Sequence, residues 1–213
     1  IAEAHRSAAL HLHDLSMLTG YCAGWSLKQL IQEGLGGVPG KITSSPAGHL
    51  STLCNQMVNF LGIMQNEWAG AQAFSSFDTY LAPFVKVDNL SQKEVKQCIQ
   101  SFIYGVNTPS RWGTQAPFSN ITLDWVCPPD LKDLPAIVGG KEMDFTYGDC
   151  KKEMDMVNKA FIEIMIEGDA NGRGFQYPIP TYSITRDFDW SETENNRLLF
   201  EMTSKYGTPY FSN

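Results

Sequence analysis

A chain of 213 residues, 43% of them hydrophobic, is long enough for one sizeable core, or for one lobe of a larger core completed by further sequence. Its net charge of -7 excludes a broad electropositive face for tracking nucleic acid, while leaving room for a local anion site built from helix N-termini and a few cations. No apolar run reaches membrane-spanning length, the opening Ile1 to His5 is no secretory signal, and five scattered cysteines lack C-x-x-C spacing; a cytoplasmic protein with reduced thiols is expected.

In chain order, Ala2 to Ala9 reads as a short helix, and the apolar/polar alternation of Leu10, His11, Leu12 and His13 reads as a strand ended by Asp14. A second extended stretch, Gly20 to Gly24, carries Cys22. Ser26 then caps a helix over Lys28 to Glu33 that Gly34 and Gly36 terminate. After a Gly/Pro/Ser loop to Gly48, a long helical pattern runs from His49 to Ala73, and a further apolar run from Phe74 to Val85 is expected to break or kink at Pro83. Ser91 and Glu94 form a capping box before a helix over Val95 to Tyr104. Ile121 to Val126 is β-like, followed by a loop through Gly140. An amphipathic helix spans Cys150 to Glu167, with Met154, Val157, Phe161 and Ile164 on one stripe. Tyr182 to Thr185 is extended, and the capping box Ser191 to Glu194 opens a last helix that stops at Gly207 before Pro209-Tyr210-Phe211. Helices alternating with short strands imply an α/β architecture. The first residue is not Met and the chain stops directly after a strand-like end, so a piece of a longer protein is expected.

Two clusters can carry chemistry. In His11-Leu12-His13-Asp14, alternation puts both imidazoles on one face, where they can share a cavity with the Cys22 thiol of a neighbouring strand. Zinc fits poorly, because no second ligand pair is visible, and no nucleophile signature of a Cys/His protease is present. The bland alternative is a pair of hydrogen-bonded histidines beside a small buried thiol. The second cluster, Asn107 to Asn120, offers Arg111, Gln115, Ser119 and Asn120 around Phe118 at a strand entrance and can hold a nucleotide; the alternative is an ordinary connection. The glycine-rich 168–174 stretch matches neither a P-loop nor a dinucleotide fingerprint and reads as a turn.

These blocks resemble a known family, the anaerobic class III ribonucleotide reductases. The resemblance is carried, in family order, by His11 to Leu15, Gly20 to Trp25, Ala69 to Phe74, Phe77-Asp78, Leu81 to Phe84, Gly113 to Asn120 and Lys205 to Phe211. It implies a glycyl radical enzyme whose ten-stranded α/β barrel receives its first half from this segment, so that residues 1–213 are a partial catalytic barrel domain. An ATP-binding cone would precede Ile1. A cysteine-bearing finger loop, the glycyl radical and a zinc site would follow Asn213, and an iron-sulfur, S-adenosylmethionine activating protein would generate the radical; this segment itself would bind no metal or cofactor.

The resemblance further implies that a thiyl radical removes the ribose 3′ hydrogen of a ribonucleoside triphosphate, that the 2′ hydroxyl leaves as water, and that a second cysteine returns a hydrogen. Cys22 matches that second cysteine. His11, His13 and Asp14, with Gln115, Phe118, Ser119 and Asn120, are the implied substrate contacts. The stretch from Gln65 to Phe74, with Gln65 and Gln72, resembles the region where a deoxynucleoside triphosphate effector binds across a homodimer. Trp112 departs from the pattern, since relatives more often place a smaller residue there. Cys54, Cys98, Cys127 and Cys150 match no cysteine with a role. Two competing readings are a nucleotide-binding or dimerisation module without catalysis, and another glycyl radical enzyme acting on a small carboxylic acid or diol.

Overall fold

The computed structural model describes residues 1–13, 15, 18–37, 40, 42–109 and 116–213. The elements in chain order are α1 (Ala2–Arg6), β1 (Gly20–Trp25), α2 (Leu27–Glu33), α3 (Leu50–Met64), β2 (Trp68–Phe74), α4 (Phe77–Val87), α5 (Gln92–Asn107), β3 (Ser119–Leu123), β4 (Pro135–Val138), β5 (Lys141–Thr146), α6 (Lys151–Glu167), β6 (Ile179–Ser183), α7 (Glu194–Tyr206) and β7 (Tyr210–Ser212). Local chemistry sets the starts of α2, α5 and α7. Ser26 accepts from the Gln29 backbone N–H at α2, the Ser91 and Glu94 side chains form a reciprocal capping box at α5, and Thr193 accepts from Asn196 N–H at α7. At α7 the cap is Thr193 and not the expected Ser191, which instead bonds Asp189 through its N–H and hydroxyl.

Five strands form one parallel sheet in the order β1-β2-β3-β6-β7. Each new strand is added on the same side of the last, with helices in every connection. Side chains alternate along the strands. Phe74, Ile121, Leu123 and Tyr182 are fully buried and join Phe77, Phe102, Val157, Phe161 and Leu199 of the helices in one core. Their strand neighbours point to the other face. The remaining strands, β4 and β5, make a separate antiparallel hairpin.

Three expectations are corrected. Leu10 to His13 form no strand: Leu10 and Leu12 stay exposed, with neither a strand to pair their backbone nor a core to take their side chains. The helix expected to continue to Ala73 stops at Met64, and residues 68–74 become β2, because pairing on both sides with β1 and β3 overrides the helix preference of three alanines. The stretch after Pro129 is not all loop but holds the β4–β5 hairpin, turned by Gly139 and Gly140 at φ 62° and 72°. In addition, α4 runs through Pro83 without ending there. No helix among the described residues is long and apolar enough to cross a membrane.

A buried polar network ties the helix layer to the end of β3. The Asp78 carboxylate, in the first turn of α4, accepts from the backbone N–H of Asp124 (2.7 Å) and Trp125 (2.9 Å) and from Asn158 Nδ2 (2.8 Å). Tyr182 OH donates to Asn158 Oδ1 at 3.1 Å, and Thr79 Oγ1 donates to Asp124 Oδ2 at 2.6 Å. These bonds hold Trp125 in a left-handed conformation, φ 64°, under Tyr182 and Phe188. Burial pushes Asp78 upward against its N–H donors, and burial together with the Asp78 charge raises Asp124 to about 7.

Candidate active site

The open face of the sheet is built around an irregularity. Tyr21 pairs with Ala69 and Ala23 with Gln72, so the single residue Cys22 faces two residues of β2, Gly70 and Ala71. Both sides of this bulge are left-handed, with φ 54° at Cys22 and 78° at Gly70. Glycine is required at position 70 on two counts. A side chain there would occupy the left-handed region, and its Cβ would come within 2.8 Å of Cys22 Sγ and 3.1 Å of the Tyr21 ring. The bulge turns the Cys22 thiol outward, where it is exposed.

Cys22 lines a concavity of about 460 Å³ with Ala23, Gly24, Ala71, Ala73, Phe118, Asn120, Ile179 and Tyr210, drawn from all five parallel strands and the Phe118 entrance to β3. That volume is in the range of small-molecule sites. Small residues of β1 and β2 leave the room. Phe118, half exposed, packs at 5.5 Å on the Tyr177 ring, and Asn120 Nδ2 reaches Thr181 Oγ1 at 3.4 Å. Asn107, at the end of α5, fixes the approach to β6: its Nδ2 donates to Tyr177 O and its Oδ1 accepts from Gln176 and Tyr177 N–H.

The histidines approach from one side. His11 and His13 rings lie 6.5 Å apart and near parallel, His5 lies 5.6 Å from His11, and His13 meets the Tyr21 ring edge-on at 5.5 Å. His5 Nδ1 accepts from Leu12 N–H at 3.1 Å. The imidazoles thus connect to β1 through Tyr21 and do not themselves line the concavity.

Of the remaining expected site residues, Asp14 and Gln115 lie outside the described residues. Ser119 does not line the concavity: strand alternation turns its side chain to the helix face, fully buried, while Asn120 takes the open face. Gln72 is turned inward likewise. Its side chain is buried, with Oε1 accepting from Trp25 Nε1 at 3.0 Å, so it presents nothing to a ligand outside the core. Burying its Nε2 with no partner among the described residues costs about 1–3 kcal/mol. Gln65 is half-buried at the C-terminal cap of α3. Sequence reasoning missed Ile179, Tyr210, Ala71 and Ala73 as lining residues; the alternating alanines of 69–73 were the available signal for two of them.

The other cysteines sit apart from this face. Burial pushes the Cys54 and Cys98 thiols up, Cys127 to about 11 and Cys150 to about 12, which keeps them protonated at neutral pH. Among the described residues no three His, Cys, Asp or Glu side chains converge as a metal site.

The family described as anaerobic ribonucleoside-triphosphate reductase matches residues 1–213, the whole chain. The chain belongs to this family. Its fold is similar to solved structures of the anaerobic ribonucleotide reductase from Thermotoga maritima. With the structure in complex with dATP and CTP it shares 23% identity at a TM-score of 0.70, covering 99% of this chain and 37% of that one. The structure with MES in the active site gives 23% and 0.73, covering 100% and 37%. The structure with dATP bound in the specificity site gives 25% and 0.62, covering 85% and 32%. Our reductase-family chain therefore spans about a third of the length of these structures. No curated protein matches it.

Proposed function

We propose that this chain forms part of the catalytic barrel of an anaerobic ribonucleotide reductase, in which Cys22 gives a hydrogen atom to the sugar of a ribonucleoside triphosphate. The observation that carries the reading is the Cys22 thiol, turned by a left-handed bulge into a concavity of about 460 Å³ on the open sheet face of a chain matched along its whole length by the family. Relatives solved with dATP and CTP support a nucleotide as the ligand class. The five-stranded parallel sheet, with one face left open, is in this reading half of a ten-stranded barrel.

The ribose rests against the small Ala71 and Ala73 side chains, Phe118 supplies an apolar wall, and the Asn120 amide bonds a sugar hydroxyl. His11 and His13, stacked beside Tyr21, face the hydroxyls or the phosphates, and Asp14 and Gln115 complete the set. Once the 3′ hydrogen has been removed and the 2′ hydroxyl has left as water, the Cys22 S–H bond breaks, a C–H bond forms on the sugar, and the sulfur is left oxidised by one electron for an external reductant to restore. Such a transfer demands a donor held in a fixed place relative to the sugar. In the full-length enzyme a glycyl radical, made by an activating protein, would supply the oxidising equivalent. Gln65, at the end of α3, is the candidate contact for a deoxynucleoside triphosphate effector across a homodimer.

Cys22→Ala in the full-length protein tests the reading. Turnover is expected to fall by about 10³-fold or more with effector binding retained, whereas unchanged turnover overturns the role. Calorimetry on the parent separates a nucleoside triphosphate from the small acids and diols of other glycyl radical enzymes. The isolated chain is expected to make no deoxynucleotide.

A further inference from the structure

Among the described residues β1 is the end strand of the sheet, paired with β2 alone, and its ladder is interrupted where it carries Cys22. A donor that must meet a substrate atom at a set distance is therefore mounted at a weak point of the sheet. Something beyond backbone pairing has to hold it, and one side-chain restraint lies three residues further on. There Trp25 Nε1 donates to Gln72 Oε1 at 3.0 Å. The Trp25 ring is wedged edge-on between Phe60 and Trp68, each at 5.4 Å, so its polar edge has a fixed direction and meets Gln72.

Gln72 is itself well anchored. Its backbone N–H donates to Phe118 O at 2.8 Å, and it pairs with Ala23 of β1 on one side and Ser119 of β3 on the other. One residue thus links the strand of the thiol, the strand of the glycine beneath it and the entrance to β3 that bears the aromatic wall. On stability grounds a buried glutamine is a poor filler here, because its Nε2 and the neighbouring Ser119 Oγ have no partner among the described residues. The contact it does make is the one to Trp25.

We propose that Gln72 is a positioning residue for Cys22, clamping β1 through the Trp25 indole so that the thiol keeps its place against the sugar. The proposal deepens the function given above and rests on Cys22 being the hydrogen donor. Because misplacing a reacting group by about 1 Å can cost roughly 10²-fold in rate, a loosened β1 lowers the chemical step while leaving the binding surface in place.

The test uses the full-length reductase with Gln72→Met, which keeps the shape and removes the acceptor, Gln72→Glu, which keeps an acceptor oxygen, Trp25→Phe, which removes the donor, the Gln72→Met/Trp25→Phe pair, and Cys22→Ala alongside. We expect Gln72→Met and Trp25→Phe each to lower kcat about tenfold with KM, effector affinity and melting temperature little changed. The double variant is expected to lose no more than either single, because both remove the same bond. Gln72→Glu recovers most of the rate. Should Gln72→Met fail to fold, Trp25→Phe decides alone. Wild-type kcat in Trp25→Phe, or a loss shared equally by kcat, KM and melting temperature, overturns the clamp while an inactive Cys22→Ala leaves the donor role standing. Wild-type turnover in Cys22→Ala overturns both.

Discussion

The helix-packed face of the sheet carries Phe74, Ile121, Leu123 and Tyr182, all fully buried, whereas the open face carries Ala71, Ala73, Asn120 and Ile179 around an exposed thiol. The same strands serve both, since adjacent residues point in opposite directions. On the first face bulk and burial hold the fold together; on the second, small side chains and one polar group leave a space. Stability and chemistry are thereby divided between odd and even positions of the same segments, and the two should respond differently to substitution.

The largest contrast in stability is expected between Phe161→Ala and Asn120→Ala. Phe161, fully buried in the core, should cost about 3–5 kcal/mol on truncation, and Asn120, on the open face, within about 0.5 kcal/mol. Urea denaturation of both variants measures this, and equal losses would erase the distinction between the faces.

A smaller effect sharpens it with pH. Asp124 is raised to about 7, first by burial and then by the Asp78 charge, so the folded state holds its proton more tightly than the unfolded chain does. The stability from that proton is complete below the ordinary carboxylate range and is lost as pH rises through about 7. Asp124→Asn should therefore match the parent near pH 4 and be the more stable of the two at pH 8. Melting curves across this window with the opposite slope would refute the assignment.

Gly70→Ala is expected to cost about 1–2 kcal/mol, for a left-handed alanine. Its larger consequence is local. The new methyl would stand 2.8 Å from Cys22 Sγ and force the thiol aside, so the alkylation rate of Cys22 should change well beyond what the lost stability explains. An unaltered rate would show that the bulge does not set the orientation of the thiol.

Helix starts were legible in the sequence because their determinants are local: Ser26, the Ser91/Glu94 box and the apolar stripe of α6 act within a turn or two. The strand β2 was not, since its alanines favour a helix until β1 and β3, each more than forty residues away, pair with it. The Gly139-Gly140 turn was written in the sequence as a two-residue hairpin signal and passed over. Within the candidate site, the motif brought Cys22, Phe118 and Asn120 into view. It could not choose between Ser119 and Asn120, because only the register of β3 decides which of two neighbours faces the opening. Ile179 and Tyr210 join the site through strand order alone, which no short stretch of sequence encodes.

The Asp78 carboxylate bonds to partners 46, 47 and 80 positions further along the chain. Each of those bonds closes a long loop whose entropy must be met before the carboxylate is satisfied. The carboxylate is satisfied only once α4, the end of β3 and α6 have all docked, so this region should assemble late and come apart in a single step.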